Sequence, residues 1–107
     1  MVIEAVIEDI PLKQRIFADL EQACRPDCIL STNTSTIDIN LVGGKVAKAT
    51  RERILGAHFF SPAHIMPLLE IVKTEHTSKQ VRAGGSGGQV WEGAWMCRDG
   101  AGRWCVE

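Results

Sequence analysis

His58 and Glu70 sit at either end of one compact stretch, GAHFFSPAHIMPLLEIV, residues 56–72. Histidine is the side chain best suited to exchanging protons near neutral pH. A base that must deprotonate an alcohol works best when a carboxylate holds its second ring nitrogen. Pro62 and Pro67 break the segment between two apolar runs, so the chain can fold back and lay the two runs side by side. The spacing leaves two readings open: a His58–Glu70 pair, or a strand-end histidine with no carboxylate partner. His64, in the intervening loop, and His76, in the polar run KTEHTSKQ, complete no known metal-ligand spacing, and no metal is expected. The turn NTST, Asn33–Thr36, could present hydroxyls and an amide to a ligand or could merely cap a helix. Glu8 and Lys13 could flank a ribose or a phosphate, or could form a solvated helix entry.

The elements around these residues read as alternating strand and helix. MVIEAVI is rich in strand formers. In the run that follows, EDIPLKQRIFADLEQACRP, Pro11 suits a first helical turn, and Glu8 and Asp9 suit the positive end of the helix dipole. Leu12, Ile16, Phe17, Leu20 and Ala23 or Cys24 give an apolar stripe at helical spacing, and Pro26 stops the helix. CILST is a short buried strand. A weak helix is expected over 37–47, interrupted or ended early by Gly43-Gly44. RERILGAHFF is the third strand and PLLEIV the fourth. This β-α-β-α-β order predicts a mostly parallel, Rossmann-like α/β sheet. Ligands sit at the carboxyl ends of strands in such sheets. Glu8, the Asn33–Thr36 turn and His58 each end a strand, so the rule sets them along one rim.

Composition narrows the partners. The 107 residues carry a net charge of −1, which disfavours a nucleic-acid partner, whose binders present a basic face. No apolar run approaches the roughly 20 residues that span a bilayer. Cys24, Cys28, Cys97 and Cys105 form neither a CxxC pair nor a zinc pattern and are expected to be reduced.

The chain changes character near Gln80. Every Ile, Leu and Phe lies before that point, whereas all 3 Trp and 7 of the 10 Gly lie after it. Residues 81–107 show no apolar periodicity, and AGGSGG reads as a flexible connector. The expectation is a first unit over 1–80 and an unrelated, irregular or disordered tail over 81–107. The tail's residues have G-rich codons, and Gln80-Val81-Arg82 can be encoded across a splice-donor sequence, as in translated intron.

Taken together, VIEAVIEDIPLKQRIFADLE, STNTSTIDI and ILGAHFFSPAHIMPLLEIV resemble the NAD-binding domain of L-3-hydroxyacyl-CoA dehydrogenases. The form HFFSPAHIMPLLEIV is most similar to the plant-type peroxisomal multifunctional branch of fatty-acid β-oxidation. The resemblance covers residues 1 to about 80. It implies NAD as cofactor, a 3-hydroxyacyl-CoA as substrate and a peroxisomal location. It also implies that His58 is the catalytic base, Glu70 its carboxylate partner and Ser35 the contact to the substrate hydroxyl. Glu8 and Lys13 then line the NAD site, Asn33 and Ser35 lie near the nicotinamide, and Ser61 stands where the mitochondrial type has Asn. The family's first βαβ unit, with its GxGxxG loop, is expected before Met1, and its helical substrate domain after Gln80. The chain then holds only the second half of a doubly wound dinucleotide domain and is expected to be inactive alone.

Overall fold

The computed structural model describes residues 1–62, 64, 65, 68–82, 94–98 and 104–105. Strand β1, Val2–Glu4, leads through helix α1, Ile10–Ala23, to β2, Leu30–Thr32. A second crossover holds α2, Ile39–Val42, a 3-10 turn, Gly43–Lys45, and α3, Lys48–Arg51. It ends in β3, Ile54–Phe59, which is followed by β4, Leu68–Lys73, and a short helix α4, Lys79–Arg82. The strands lie in sequence order across one sheet. β1, β2 and β3 are parallel, and β4 returns antiparallel to β3. Two crossovers stepping in one direction make one wound half of a Rossmann-like sheet, as the alternation predicts.

Local chemistry explains the boundaries. The Asp9 side chain caps α1, its Oδ1 accepting from the Leu12 amide at 2.7 Å, with Pro11 in the first turn. Pro26 follows the C-cap, Cys24. Asp38 caps α2 by accepting from the Asn40 amide at 2.9 Å, and the helix gives way to the 3-10 turn at Gly43-Gly44, where the sequence places its interruption. The third strand is shorter than expected. Arg51 closes α3, and Arg53 is buried, its Nη1 donating to the Arg25 and Cys28 carbonyls at 2.9 Å each.

Phe17, Leu30, Val42, Val46 and Ile54 form the core between sheet and helices. Removing a buried aromatic such as Phe17 costs about 3–5 kcal/mol. Gly56 sits where this layer is thinnest. A Cβ there would meet the Val72 Cβ at 3.0 Å and Ile39 Cδ1 at 3.5 Å, so the glycine lets α2 lie close on the β3–β4 pair.

Two segments beyond Gln80 depart from the irregular tail expected of 81–107. Ala94–Arg98 forms β5, parallel to β4, and Trp104–Cys105 forms β6, antiparallel to β5. The open edge of β4 offers backbone partners to any extended segment, and such pairing needs no apolar period. AGGSGG lies outside the described residues.

Candidate active site

The rim gathers where β1, β2 and β3 end. In the β3–β4 register His58 is directly opposite Glu70. Their side chains meet, His58 Nδ1 lying 3.1 Å from Glu70 Oε2. The histidine side chain is 19% exposed and the glutamate 12%, so the pair is largely shielded yet open to a ligand. The Phe60 ring stands edge-on to the imidazole at 4.8 Å between centroids and restricts its rotation. A carboxylate only accepts hydrogen bonds, so the tautomer that this contact assigns carries its proton on Nδ1. The Nε2 lone pair is then available to take a proton.

The turn after β2 is tied to both neighbours. The Asn33 amide N–H donates to the Glu4 carbonyl at 2.8 Å, and its Oδ1 accepts from the Phe59 amide at 3.3 Å. The Thr34 hydroxyl donates to Glu8 Oε2 at 2.6 Å and accepts from the Ile37 amide at 3.2 Å. The NTST segment thus caps its own turn and also binds the end of β1. Ser35 and Ser61 are exposed. Glu8 lies four residues beyond the end of β1 and reaches the turn through Thr34, while Asn33 bonds the Phe59 amide beside His58, with Ser35 on the same turn.

Lys13 is not part of a solvated helix entry. It is 1% exposed, and its Nζ donates to Glu4 Oε1 at 2.7 Å and to the Val6 carbonyl at 3.1 Å. Glu4 is buried too, with Oε1 also accepting from the Val6 amide at 2.6 Å and Oε2 from the Thr32 hydroxyl at 2.7 Å. Sequence reasoning missed Glu4, Thr32 and Thr34. The available signal was a lone acid inside the strand run VIEAVI, since a charge is buried there only with a partner. His64 and His76 are exposed turn residues. Among the described residues no cluster of three or more His, Cys, Asp or Glu side chains could hold a metal ion, and no helix is long and apolar enough to cross a membrane.

A wound parallel sheet with a polar rim at its strand ends, carrying an imidazole backed by a carboxylate, has the architecture of a nucleotide-dependent dehydrogenase. The chain belongs to the family described as 3-hydroxyacyl-CoA dehydrogenase, NAD binding domain, whose model matches residues 1–85. The rice peroxisomal fatty acid beta-oxidation multifunctional protein is 72% identical over 80 residues, 75% of this chain and 11% of that protein. The cucumber glyoxysomal counterpart is 67% identical over 81 residues, 76% of this chain and 11% of that protein. Among solved structures, the dehydrogenase part of multifunctional enzyme 1 from C. elegans superposes with TM-score 0.70 at 42% identity, covering 76% of this chain and 18% of that one. The 3-hydroxybutyryl-CoA dehydrogenase of Escherichia coli gives TM-score 0.76 at 30% identity, over 92% of this chain and 21% of that one. The chain thus spans about a tenth of the plant relatives' length. These plant relatives are named as peroxisomal or glyoxysomal proteins, and the matching family is described as an NAD binding domain.

Proposed function

We propose that residues 1–80 supply the acid–base part of an NAD-dependent 3-hydroxyacyl-CoA dehydrogenase site, and that this chain alone is inactive. The observation that carries the reading is the 3.1 Å contact between His58 Nδ1 and Glu70 Oε2 at the end of a parallel strand. His58 Nε2 takes the proton of the substrate's 3-hydroxyl. Glu70 holds the ring in the reactive tautomer and stabilises the imidazolium that forms. Ser35, exposed on the neighbouring turn, donates to the same oxygen. Bound beside this rim, NAD would supply the hydride acceptor for C3.

The donors present fit one end of NAD. Glu8, Asn33, Ser35 and Ser61 offer carboxylate, amide and hydroxyl groups suited to a ribose and a carboxamide. Lys13, 1% exposed and bonded to Glu4 and to the Val6 carbonyl, serves this end of the site only from behind, by fixing the chain that leaves β1. The diphosphate has no comparable support. The only adjacent glycines within residues 1–80, Gly43 and Gly44, lie in the 3-10 turn of the second crossover rather than between a strand and a helix. β1 is the edge strand, and Met1, Ile3, Val6 and Ile7 beside it are 38–74% exposed. The family's preceding βαβ unit would cover this apolar edge and bring the phosphate loop. Residues 86–107 lie beyond the family match and are assigned no part in the site.

The test is NADH formation from L-3-hydroxybutyryl-CoA by the 107-residue chain. The expected rate equals the enzyme-free blank. A rate above blank that disappears in His58→Ala would overturn the inactivity claim and keep the assignment of the base. A rate that survives His58→Ala would overturn both.

A further inference from the structure

Cys24 and Cys28 lie at the end of the sheet opposite to the catalytic rim, and the dehydrogenase reading uses neither. Cys24 is the C-cap of α1, its amide donating to the Leu20 carbonyl at 2.9 Å. The chain then reverses at once through Pro26-Asp27, closed by the Cys28 amide donating to the Arg25 carbonyl at 3.0 Å. A turn closed in this way keeps its ends within about 7 Å, so Cys28 comes back against the helix end. Both side chains pack on the same core cluster of Phe17, Leu30, Val42, Val46 and Ile54. Both are only partly exposed, and both are free thiols.

Two further contacts fix the turn. Arg53 Nη1 donates to the carbonyls of Arg25 and Cys28 at 2.9 Å each, fastening both sides of the loop to the start of β3. The Arg25 guanidinium reaches Asp27 at 3.2 Å on the outer side. The Cys28 thiol donates to the Ile29 carbonyl at 3.6 Å, and the turn brings it beside Cys24. Burial raises the Cys24 thiol above its ordinary range, and the charge and hydrogen bond of the Cys28 thiol raise it further. A thiol held in this way is a slow nucleophile, since the thiolate is the reactive form.

We propose that Cys24 and Cys28 form a reversible intramolecular disulfide when the chain meets a peroxide. One thiolate attacks the peroxide oxygen and becomes a sulfenic acid, releasing water once the leaving oxygen is protonated. The second thiol attacks the sulfenic sulfur, forms the S–S bond and releases a second water molecule. Two thiols and one hydrogen peroxide thus give one disulfide and two waters. The closed loop spans Arg25-Pro26-Asp27 and ties the end of α1 to the start of β2. It leaves the rim at the far end of those elements untouched. Thiol reductants restore the open form.

The experiment uses the full chain carrying Cys97→Ser and Cys105→Ser, so that Cys24 and Cys28 are its only thiols. The chain is treated with hydrogen peroxide at micromolar protein, and its peptides are mapped by mass spectrometry. The expected product is a monomer in which the peptide holding Cys24 and Cys28 has lost two hydrogen atoms. Its formation should accelerate with rising pH, and dithiothreitol should reverse it. In a glutathione redox buffer, the native chain should favour the disulfide at least about tenfold over the chain in guanidinium, a gap of about 30 mV. Cys28→Ser should give only sulfenic acid or mixed disulfide at Cys24. Overturning results are sulfinic or sulfonic acids with no internal bridge, covalent dimers alone, or equal equilibria in the native and denatured chains.

Discussion

Two acid–base pairs of similar length are anchored two and three strands apart, Glu4 on β1 and His58 with Glu70 on β3 and β4, and their surroundings give them opposite uses. Lys13 and Glu4 meet at 2.7 Å with both side chains 1% exposed. His58 and Glu70 meet at 3.1 Å with exposures of 19% and 12%. The inner pair is held from all sides: each Glu4 oxygen and two of the three ammonium protons are engaged by fixed partners. It fastens β1 to α1 and to β2. The outer pair engages only one face of the imidazole and leaves the other ring nitrogen for a proton. Near-complete burial with both carboxylate oxygens engaged makes a joint, and partial exposure with one ring nitrogen left over makes a reactive group.

Breaking one side of the inner pair gives the largest expected effect. A suitable host is the rice relative with its matched 80 residues replaced by residues 1–80 of this chain, which restores the surrounding protein. Lys13→Met in that host strands a buried carboxylate and should cost about 3–5 kcal/mol, read as loss of soluble, protease-resistant protein. Combining it with Glu4→Met removes both charges and should recover most of the loss. If the double variant is as damaged as the single one, the pair is more than a joint. The link between rim and joint is weaker. Thr34→Val deletes the hydroxyl that holds Glu8 and should cost about 1–2 kcal/mol in melting measurements, together with a rise in the KM for NAD. An unchanged KM would separate Glu8 from the cofactor.

The smallest effect belongs to neither pair. Glu21 is held below its ordinary range first by the Thr50 hydroxyl, then by the Ala47 amide at 2.9 Å, with Arg53 adding to both. A carboxyl depressed in the fold contributes stability above its unfolded pKa, and that contribution is lost as pH falls through the lowered folded value. Glu21→Gln should therefore lower stability slightly at neutral pH, where the contribution is present, and leave the acid end unchanged, so that the acid limb flattens. A melting profile with the same acid limb would remove Glu21 from the account.

The two pairs also differ in how far the sequence revealed them. His58 and Glu70 stand in two apolar runs parted by prolines, and an antiparallel return between such runs places their ends opposite each other. The spacing left this pair open beside an unpartnered histidine; the family resemblance implied the pair, and the β3–β4 register sets the two residues opposite each other. Lys13 was read as a solvated or ligand-facing residue because charge on a helix usually points to water. Its burial follows from helix phase, since it shares a face with Phe17 four residues on, and from a partner on another element. Glu4 alone and Lys13 alone each look wrong in a core, and only the fold shows that they answer each other. The strands at 94–98 and 104–105 were illegible for a different reason, because edge pairing by backbone leaves no apolar period to read.

The central claim is that residues 1–80 bring the proton-transfer pair to a site completed by other parts of the parent enzyme. The direct measurement is kcat for NADH formation from L-3-hydroxybutyryl-CoA by the grafted rice enzyme, with and without His58→Ala. The account predicts an active graft whose kcat falls by roughly 10²–10⁴ in the variant, with an unchanged melting temperature. A folded graft that keeps its rate without His58 would contradict it.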